Sequence, residues 1–592
     1  MSENNTLLAR FLFWRIRHVK QKQFILLLSF LVGLVSGIAA VLLKKLVHFI
    51  SHNTIELIDV KNASFLYILY PLIGILITVL FVRYVVKENI GHGVSKILFS
   101  ISQKNGNLKT HNSFSSFIAS ALTVGFGGSV GLEAPVVLTG SSIGSTLSRL
   151  MKLNYRETTL MIGCGAAGAL AGIFKAPIAA LVFGLEVLLL DLTMASLIPM
   201  LISAVTGATV AYLFSGSGLV FSFELTQPFL LSHLPYFALL GVVAGLISVY
   251  FTKATMVTER WFSRISNTWL KWLAGGLTLG LLVYVFPPLY GEGYETLLSL
   301  LHNEASEIAR GQVFGEINLN EWSMLGFLVL VLVFKVFASS ATNGSGGVGG
   351  IFAPTLFMGG LTGFILARFL NMLNIVSLPE ENFALVGMAS LMAGVMHAPL
   401  TAIFLIAEIT GGYQLFLPLI IASTISYLTI MYFEPHSIYH KRLARRKQLI
   451  THNKDQAILR LINMWALIEK DFSIIKPTQT LGDLVRIISK SKRNIFPVVD
   501  NNGKLLGVVL LDDIRSIIFN ADVYDSTLVE TLMIYPPATI TKEDSMEDVV
   551  QMFKETGAWN LPVTEKDKYV GFISKSKLFS IYRRWLMNIT SE

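Results

Sequence analysis

Residues 125–135 read GFGGSVGLEAP, and residues 344–354 read GSGGVGGIFAP. Glycine lets a backbone approach a ligand closely, and proline suits the first turn of a helix, so each stretch predicts a glycine turn that leads into a helix. The start of a helix presents unpaired N–H groups and about half a positive charge, which bind an anion without a fixed cation. Together with a third glycine turn at residues 91–95 (GHGVS), the two stretches predict an anion site made of backbone amides.

A second pair of matching stretches indicates an internal repeat. AGIFKAP at residues 171–177 returns as AGVMHAP at residues 393–399, an offset of 222 residues, and the two long glycine turns are offset by 219. Two pairs at nearly one offset indicate two homologous halves. A glutamate follows each Ala-Pro after nine residues, at Glu186 and Glu408, and this symmetry favours a structural role such as capping or a hydrogen bond between helices.

The composition is that of a membrane protein. Hydrophobic residues make up 53% of the 592 residues and charged residues only 14%, whereas a soluble chain carries about a quarter. Apolar runs such as residues 24–42 and 66–86 suit a hydrocarbon layer about 30 Å thick. Basic clusters at residues 10–22 and 441–447 flank the apolar region, so the positive-inside rule predicts cytoplasmic termini. We expect a multi-pass protein of a bacterial plasma (inner) membrane, whose net charge of +9 reflects topology and not nucleic-acid binding.

The composition changes near residue 448, after which charge becomes ordinary and short β-like runs appear. NIFPVV at residues 494–499 resembles NLPV at residues 560–563, and a helical stretch precedes each, so the sequence predicts two small β-α-β-β-α domains. The predicted organisation is a cytoplasmic segment at 1–23, a membrane domain at 24–447 with halves at about 24–215 and 233–447, a linker at 448–468, and the small domains at 469–524 and 525–590.

Glu133 is an acid within the first glycine turn. A carboxylate can occupy the same N–H donors as an anion, and protonation removes its competing charge. Acids inside a membrane are generally functional, so we interpret Glu133 as a protonatable gate. The other half has Phe352 at the matching place, so only one half carries the gate. Tyr439 follows the last apolar run, where a lone tyrosine is usually an interfacial residue.

These stretches resemble the CLC family of chloride channels and proton-coupled chloride exchangers, over about residues 24–447. GHGVS at residues 91–95 looks like the family's GSGIP, GLEAP at 131–135 looks like its GKEGP, and GIFAP at 350–354 matches its GxFxP. The resemblance implies an all-α polytopic membrane protein with an inverted repeat, and a homodimer with one anion pathway in each subunit.

The resemblance also implies roles for individual residues. The amides of Ile351 and Phe352, next to Gly350, would hold a central chloride, to which Tyr439 would donate its hydroxyl. The outer ion would lie at the amides around Gly131, Leu132, Glu133 and Ala134. The first motif departs from the family, because His92, beside Gly93, replaces a serine and Ser95 replaces a proline. An imidazole could donate in place of the hydroxyl.

A further departure bears on mechanism. Proton-coupled members end the first Ala-Pro helix with two glutamates, the second of which accepts the internal proton, whereas this chain has Glu186-Val187. Valine cannot carry a proton, so we predict a passive anion channel gated by protonation of Glu133 and by voltage. The alternatives are an antiporter exchanging two anions per proton, a fluoride exporter, and a sensor or structural protein that transports nothing. An enzyme is not expected, since no metal-ligand cluster, nucleophile–base pair or cofactor loop is evident.

The C-terminal pair resembles tandem CBS domains, which can bind adenine nucleotides through a Ser/Thr and an Asp after the last strand. The first copy has Leu510 and Asp513 at these places, and the second has Ser574 and Lys577. Each copy thus keeps one of the two residues. Asp513 and Ser574 are the candidate nucleotide contacts, and the alternative is a structural dimerisation module. No cofactor is required for the predicted transport.

Overall fold

The computed structural model of the chain describes residues 7–56, 66–88, 90, 93–189, 193–216, 218, 229–301, 320–445, 462 and 464–590. The chain divides into two compact units, Met1–Leu449 and Ile450–Glu592. Gly91 and His92, and most of the predicted linker at 448–468, lie outside the described residues.

The described part of the first unit is helical. The first half contains α1 (Leu7–His18), α2 (Gln21–Glu56), α3 (Leu66–Leu80, continued by a π-helical turn at Phe81–Val86), α4 (Gly93–Gln103), α5 (Asn112–Gly125), α6 (Glu133–Leu150), α7 (Tyr155–Phe174), α8 (Pro177–Glu186) and α9 (Met194–Ser215). The second half contains α10 (Leu234–Arg264), α11 (Thr268–Val285), α12 (Tyr294–Leu301), α13 (Glu321–Gly344), α14 (Phe352–Met372), α15 (Glu380–Met396), α16 (Pro399–Ile409), α17 (Phe416–Phe433) and α18 (Ile438–Arg445).

Nine helical segments within the described ranges are long and apolar enough to cross a membrane. The Ala-Pro helices α8 and α16 are apolar but shorter. Short helices of this kind are expected where helix ends line a site at membrane depth. The helical architecture therefore agrees with the polytopic fold expected from the sequence.

The repeated Ala-Pro stretches adopt the same backbone conformation. Helix α7 ends at Lys175 and α15 ends at His397, and both residues have a left-handed φ of 56°. In each case the N–H of that residue donates to the carbonyl four residues earlier, and a proline then starts the next helix. The left-handed residue ends one helix and redirects the chain into the next, which explains why this stretch recurs.

The second unit contains two similar α/β modules. The first comprises α19 (Leu481–Ile488), β1 (Ile495–Val499), β2 (Leu505–Leu510) and α20 (Leu511–Ile514); α21 (Val529–Leu532) follows; the second comprises α22 (Met546–Thr556), β3 (Asn560–Glu565), β4 (Lys568–Ser574) and α23 (Lys575–Thr590). The strand pairs β1–β2 and β3–β4 are antiparallel. The first strand that the sequence predicts for each module is reduced to a single parallel bridge, at Ile475 and at Ile540.

Apolar contacts join the two modules of the second unit. Phe472 and Phe572 lie with ring centroids 4.6 Å apart, in a small cluster with Ile495 and Val508. Glu469 exchanges both backbone hydrogen bonds with Phe572, at 2.8 and 3.0 Å. The start of the first module is thus paired with the last strand of the second.

Candidate functional site

The two long glycine turns meet as an antiparallel pair. The Gly131 N–H donates to the Gly350 carbonyl at 3.0 Å, and the Gly350 N–H donates to the Gly131 carbonyl at 2.7 Å. Gly131 and Gly350 are equivalent in the repeat, so a local two-fold axis passes between them. Helices α6 and α14, which start two residues later, therefore lead away from this point in opposite directions, as an inverted repeat requires.

A threonine from each half holds the glycine turn of the other half. The Ser129 N–H donates to the Thr342 Oγ1 at 3.2 Å, and the Val348 N–H donates to the Thr123 Oγ1 at 3.0 Å. Ser129 and Val348 are 219 residues apart, and so are Thr123 and Thr342, so the two hydrogen bonds are equivalent in the repeat. The two halves thus fix one another's turns, which positions the starts of α6 and α14 reciprocally.

The starts of α6 and α14 are buried and lack a side-chain cap. Leu132 and Ile351, the residues preceding these helices, are at most 4% exposed, and neither provides a side-chain acceptor. The first amides of a helix have no acceptor within the helix, and buried N–H groups require a partner. The arrangement therefore suits a small anion accepting from the amides at Ala134 and Ala353 and their neighbours.

The Glu133 side chain lies at this junction. It is 1% exposed, and its Oε1 accepts a hydrogen bond of 2.7 Å from the Tyr294 hydroxyl. Its Oε2 has no hydrogen-bond partner among the described residues. A Cβ atom built on Gly131 would lie 2.0 Å from that oxygen, and one built on Gly350 would lie 3.5 Å from it. The carboxylate is therefore folded back over the Gly131–Gly350 pair, and glycine at 131 is what leaves room for it.

Two further helix starts reach the same region. Gly93 begins α4 so close to α6 that a Cβ there would lie 2.4 Å from the Ala134 carbonyl oxygen. Tyr439, in the first turn of α18, is buried, and its carbonyl accepts from the Ser95 hydroxyl at 3.3 Å. The Phe352 ring stacks on Phe174 with centroids 5.4 Å apart. All the predicted anion-site residues that the structure describes are thus grouped around these helix starts, whereas His92 lies outside the described residues.

The glutamates of the Ala-Pro helices cap each other's helices. The Glu186 carboxylate accepts from the N–H groups of Leu400 and Thr401 at 3.0 and 2.7 Å, and the Glu408 carboxylate accepts from those of Ile178 and Ala179 at 3.0 and 2.8 Å. Each half therefore supplies the N-terminal cap of the other half's helix, and the predicted structural role is confirmed. Val187, one residue beyond Glu186, is buried at 3% exposure and offers no titratable group.

Replacing Glu186 with alanine should destabilise the membrane unit. The substitution leaves two amides of α16 without their acceptor, and losing such a cap costs about 1–2 kcal/mol. Thermal unfolding in detergent should show a lower Tm for Glu186→Ala, and a similar decrease for Glu408→Ala, its repeat counterpart. Glu186→Gln, which keeps an acceptor oxygen, is the control and should lose less. An unchanged Tm in both alanine variants would contradict the capping role.

Three residues at the site were not predicted from the sequence: Tyr294, Glu292 and Lys335. The Glu292 Oε1 accepts from the Leu132 N–H at 3.2 Å, and the fully buried Lys335 donates to the Gly291 carbonyl at 3.2 Å. The sequence carries a signal for Glu292 and for Lys335, but none for Tyr294. Gly291-Glu292-Gly293 has the spacing of Gly91-His92-Gly93, and Lys335 is a lone charge inside an apolar run, which is expected to be functional.

The candidate nucleotide contacts of the second unit differ in their surroundings. Asp513 is exposed, whereas the Ser574 hydroxyl donates to Glu469 at 2.6 Å. Arg493 also donates to Glu469, at 2.6 Å. Burial acts to raise the pKa of Glu469, but hydrogen bonds from Ser574 and Arg493 together hold it below its usual range. A carboxylate therefore already engages the hydroxyl that a nucleotide phosphate would need.

Comparison with known protein families finds a match for each of the two units. The profile of the family described as voltage gated chloride channel matches residues 73–430, and that of the CBS domain matches residues 466–520 and 529–584. A ClcB-like protein of Ralstonia nicotianae is 31% identical over 389 residues, which cover 64% of this chain and 86% of the relative. The voltage-gated ClC-type chloride channel ClcB of Escherichia coli is 30% identical over 351 residues, covering 58% of this chain and 78% of the relative.

Solved structures share the fold. A slow cyanobacterial Cl⁻/H⁺ antiporter matches with a TM-score of 0.62 at 23% identity, over 71% of this chain and 97% of the other. A eukaryotic CLC transporter matches with a TM-score of 0.59 at 18% identity, over 93% of this chain and 97% of the other. A CLC-type fluoride/proton antiporter matches with a TM-score of 0.57 at 23% identity, over 70% of this chain and 96% of the other.

Proposed function

Because the chain belongs to the voltage-gated chloride channel (CLC) family, we propose that it conducts chloride and similar small anions passively, past a protonatable gate at Glu133. The pathway runs past the starts of α6 and α14, where the Gly131–Gly350 pair brings uncapped helix termini together. These termini attract an anion through backbone N–H groups and partial charge, and without a fixed cation that would hold it tightly.

In this proposal the central chloride accepts from the amides of Ile351 and Phe352 and from the Tyr439 hydroxyl. The outer ion lies at the amides around Leu132 and Ala134. The support is that these residues are all buried and that the helix starts that carry them converge. Gly93, at the start of α4, lies against the Ala134 carbonyl, and His92 would donate to an anion in place of the family's serine.

The gate works by competition. The Glu133 carboxylate is folded back among the donors that an outer anion needs, so its charge and the anion's charge exclude each other. Protonation removes that charge and lets the side chain leave. Tyr294 holds the closed position through its 2.7 Å hydrogen bond. The membrane potential also affects the competition between Glu133 and the anion, because it acts on every charge within the membrane, including a permeating anion.

The buried Val187 is the observation that favours a channel over an antiporter. An antiporter needs a group that takes up protons from the inner side, and this position offers an aliphatic side chain. The antiporter alternative is supported by the presence of Glu133, since the same carboxylate could carry a proton. Fluoride export is the weaker variant, because Tyr439 is present.

Reversal potentials of the purified protein in planar bilayers should distinguish a passive channel from an antiporter. A passive channel is expected to reverse at the chloride equilibrium potential, with or without a proton gradient. Exchange of two anions for one proton would instead shift the reversal potential by about 20 mV per unit of pH difference. A shift of that size would overturn the channel proposal. Proton uptake driven by a chloride gradient in liposomes provides an independent check, and protein-free liposomes serve as the control.

The remaining organisation is also proposed from the family. The protein is a homodimer in a bacterial inner membrane, with both termini in the cytoplasm and one pathway in each subunit. The C-terminal CBS pair acts as a structural module, since Glu469 engages Ser574 where a nucleotide phosphate would bind. Regulation by an adenine nucleotide at Asp513 and Ser574 is the alternative, and nucleotide-dependent changes in anion flux would support it.

A further inference from the structure

A short loop from the second half covers the gate of the first half. This outer loop, residues 290–294, is tied to the glycine turn before α6 because the Gly291 N–H donates to the Gly127 carbonyl at 3.2 Å. The Tyr290 ring fills the space beside Gly127, where a Cβ atom would lie 2.1 Å from it. Tyr294, at the end of the loop, donates to Glu133. The outer loop is therefore built onto the gate.

The loop also brings a second carboxylate to the site. The Glu292 Oε1 accepts from the Leu132 N–H at 3.2 Å, an amide that the proposed outer anion needs as a donor. Glu292 is partly exposed, in contrast to the buried Glu133. Two carboxylates thus lie at one helix start: Glu133 lies over the Gly131–Gly350 pair, and Glu292 occupies the Leu132 amide from the covering loop.

The first half contains a Gly-x-Gly sequence similar to that of this loop. Gly291-Glu292-Gly293 leads into α12, just as Gly91-His92-Gly93 leads into α4. The second half therefore carries a Gly-x-Gly sequence of its own before a short helix, with Glu292 at the place of His92 in the motif.

A buried lysine is bound to the outer loop. Lys335 on α13 donates to the Gly291 carbonyl, and its ammonium lies 4.7 Å from the centre of the Phe357 ring. Lys44 on α2 and Lys335 both attract Glu292, whereas Glu133 on α6 repels it. The Tyr294 hydroxyl donates to Glu133, which links the outer loop to the gate. Two acids and a buried lysine are thus held around the start of α6 and the loop that covers it.

We propose that Glu292 is a second gating carboxylate, which closes the outer anion site by occupying the Leu132 amide. An anion then reaches that site only when Glu292 has released the Leu132 amide and Glu133 has left its position over the Gly131–Gly350 pair. The inference deepens the proposed anion pathway and rests on it. It predicts two titratable closing groups on one helix start, so neutralising Glu133 alone leaves part of the pH dependence in place.

The test is chloride efflux from liposomes holding the full-length protein, measured against external pH. We expect Glu133→Gln to retain a decrease in flux as pH rises, and Glu133→Gln/Glu292→Gln to be independent of pH. Glu292→Gln alone should raise flux at neutral pH by roughly tenfold, the effect of replacing the charged acceptor of one hydrogen bond with a neutral one. Glu295→Gln, an exposed glutamate three residues away on α12, is the matched control and should behave as the wild type.

The possible failures are distinguishable. Two results would overturn the role of Glu292 but not the proposed function. One is a Glu133→Gln protein whose flux is already independent of pH, and the other is a double variant that keeps the pH dependence of Glu133→Gln. A wild-type protein without chloride flux would instead overturn the proposed function. Should Glu292→Gln not fold, Glu292→Asp keeps the charge but draws the carboxylate back by one methylene. It should raise flux similarly, and wild-type flux in that variant would also overturn the inference.

Discussion

Glu133→Gln is expected to raise chloride flux at neutral pH and to weaken its inhibition at alkaline pH. Glutamine has the size of glutamate, and its amide oxygen can still accept from the Tyr294 hydroxyl, so the fold of the turn should be kept. What is lost is the negative charge that competes with the anion for the amides at the start of α6. Losing a charged competitor of this kind should raise flux by about tenfold. Chloride efflux from liposomes between pH 5 and pH 9 measures both effects.

Tyr294→Phe is the informative control for this prediction. It removes the hydroxyl that holds the closed position but leaves the charge of Glu133 in place. Its flux should therefore rise less than in Glu133→Gln and remain dependent on pH. If Glu133→Gln kept the full pH dependence of the wild type, Glu133 would not be the gate, and the pathway would have to be closed by another group.

The parts of the site that the sequence could predict are those imposed by local backbone requirements. A Cβ atom at position 131 would lie 2.0 Å from the Glu133 carboxylate, so this turn requires glycine there, and a helix start admits proline in its first turn. Such requirements leave a pattern that can be found without the structure. The symmetric positions of Glu186 and Glu408 were informative for the same reason, since reciprocal capping demands the same residue in each half.

The parts that could not be predicted depend on which segments meet in space. Tyr294 contacts Glu133 across 161 positions of sequence, and no periodicity links the two. Lys335 stands alone in an apolar helix, and its partner is a backbone carbonyl, which every residue has. In the second unit, the leading strand of each module is a single bridge, at Ile475 and Ile540, and each of these side chains is buried in the core of its module.

Gly165→Ala is expected to prevent correct packing of the first half. A Cβ atom at Gly165 on α7 would lie 2.0 Å from the carbonyl oxygen of Gly140 on α6, and one at Gly140 would lie 2.1 Å from the Gly165 carbonyl oxygen. These are backbone atoms, so no side chain can turn aside to make room. The second half uses the same contact, with Gly359 on α14 facing Gly387 on α15. Helices in membranes associate through such small residues, and overpacking a close contact costs about 1–3 kcal/mol or more.

The direction of the change in Tm after a glycine-to-alanine substitution distinguishes an effect on packing from an effect on helix propensity. Alanine forms helices better than glycine by about 1 kcal/mol, so a glycine-to-alanine change should stabilise a helix where nothing obstructs the new methyl group. Gly326 on α13 is such a position, because no atom lies within 4 Å of its would-be Cβ. Gly326→Ala should therefore keep or raise the Tm in detergent, whereas Gly165→Ala should lower it by several degrees or abolish the monodisperse peak in size-exclusion chromatography. Equal behaviour of the two variants would mean that α6 and α7 are not packed through their glycines, and the inverted-repeat junction that they support would need to be reconsidered.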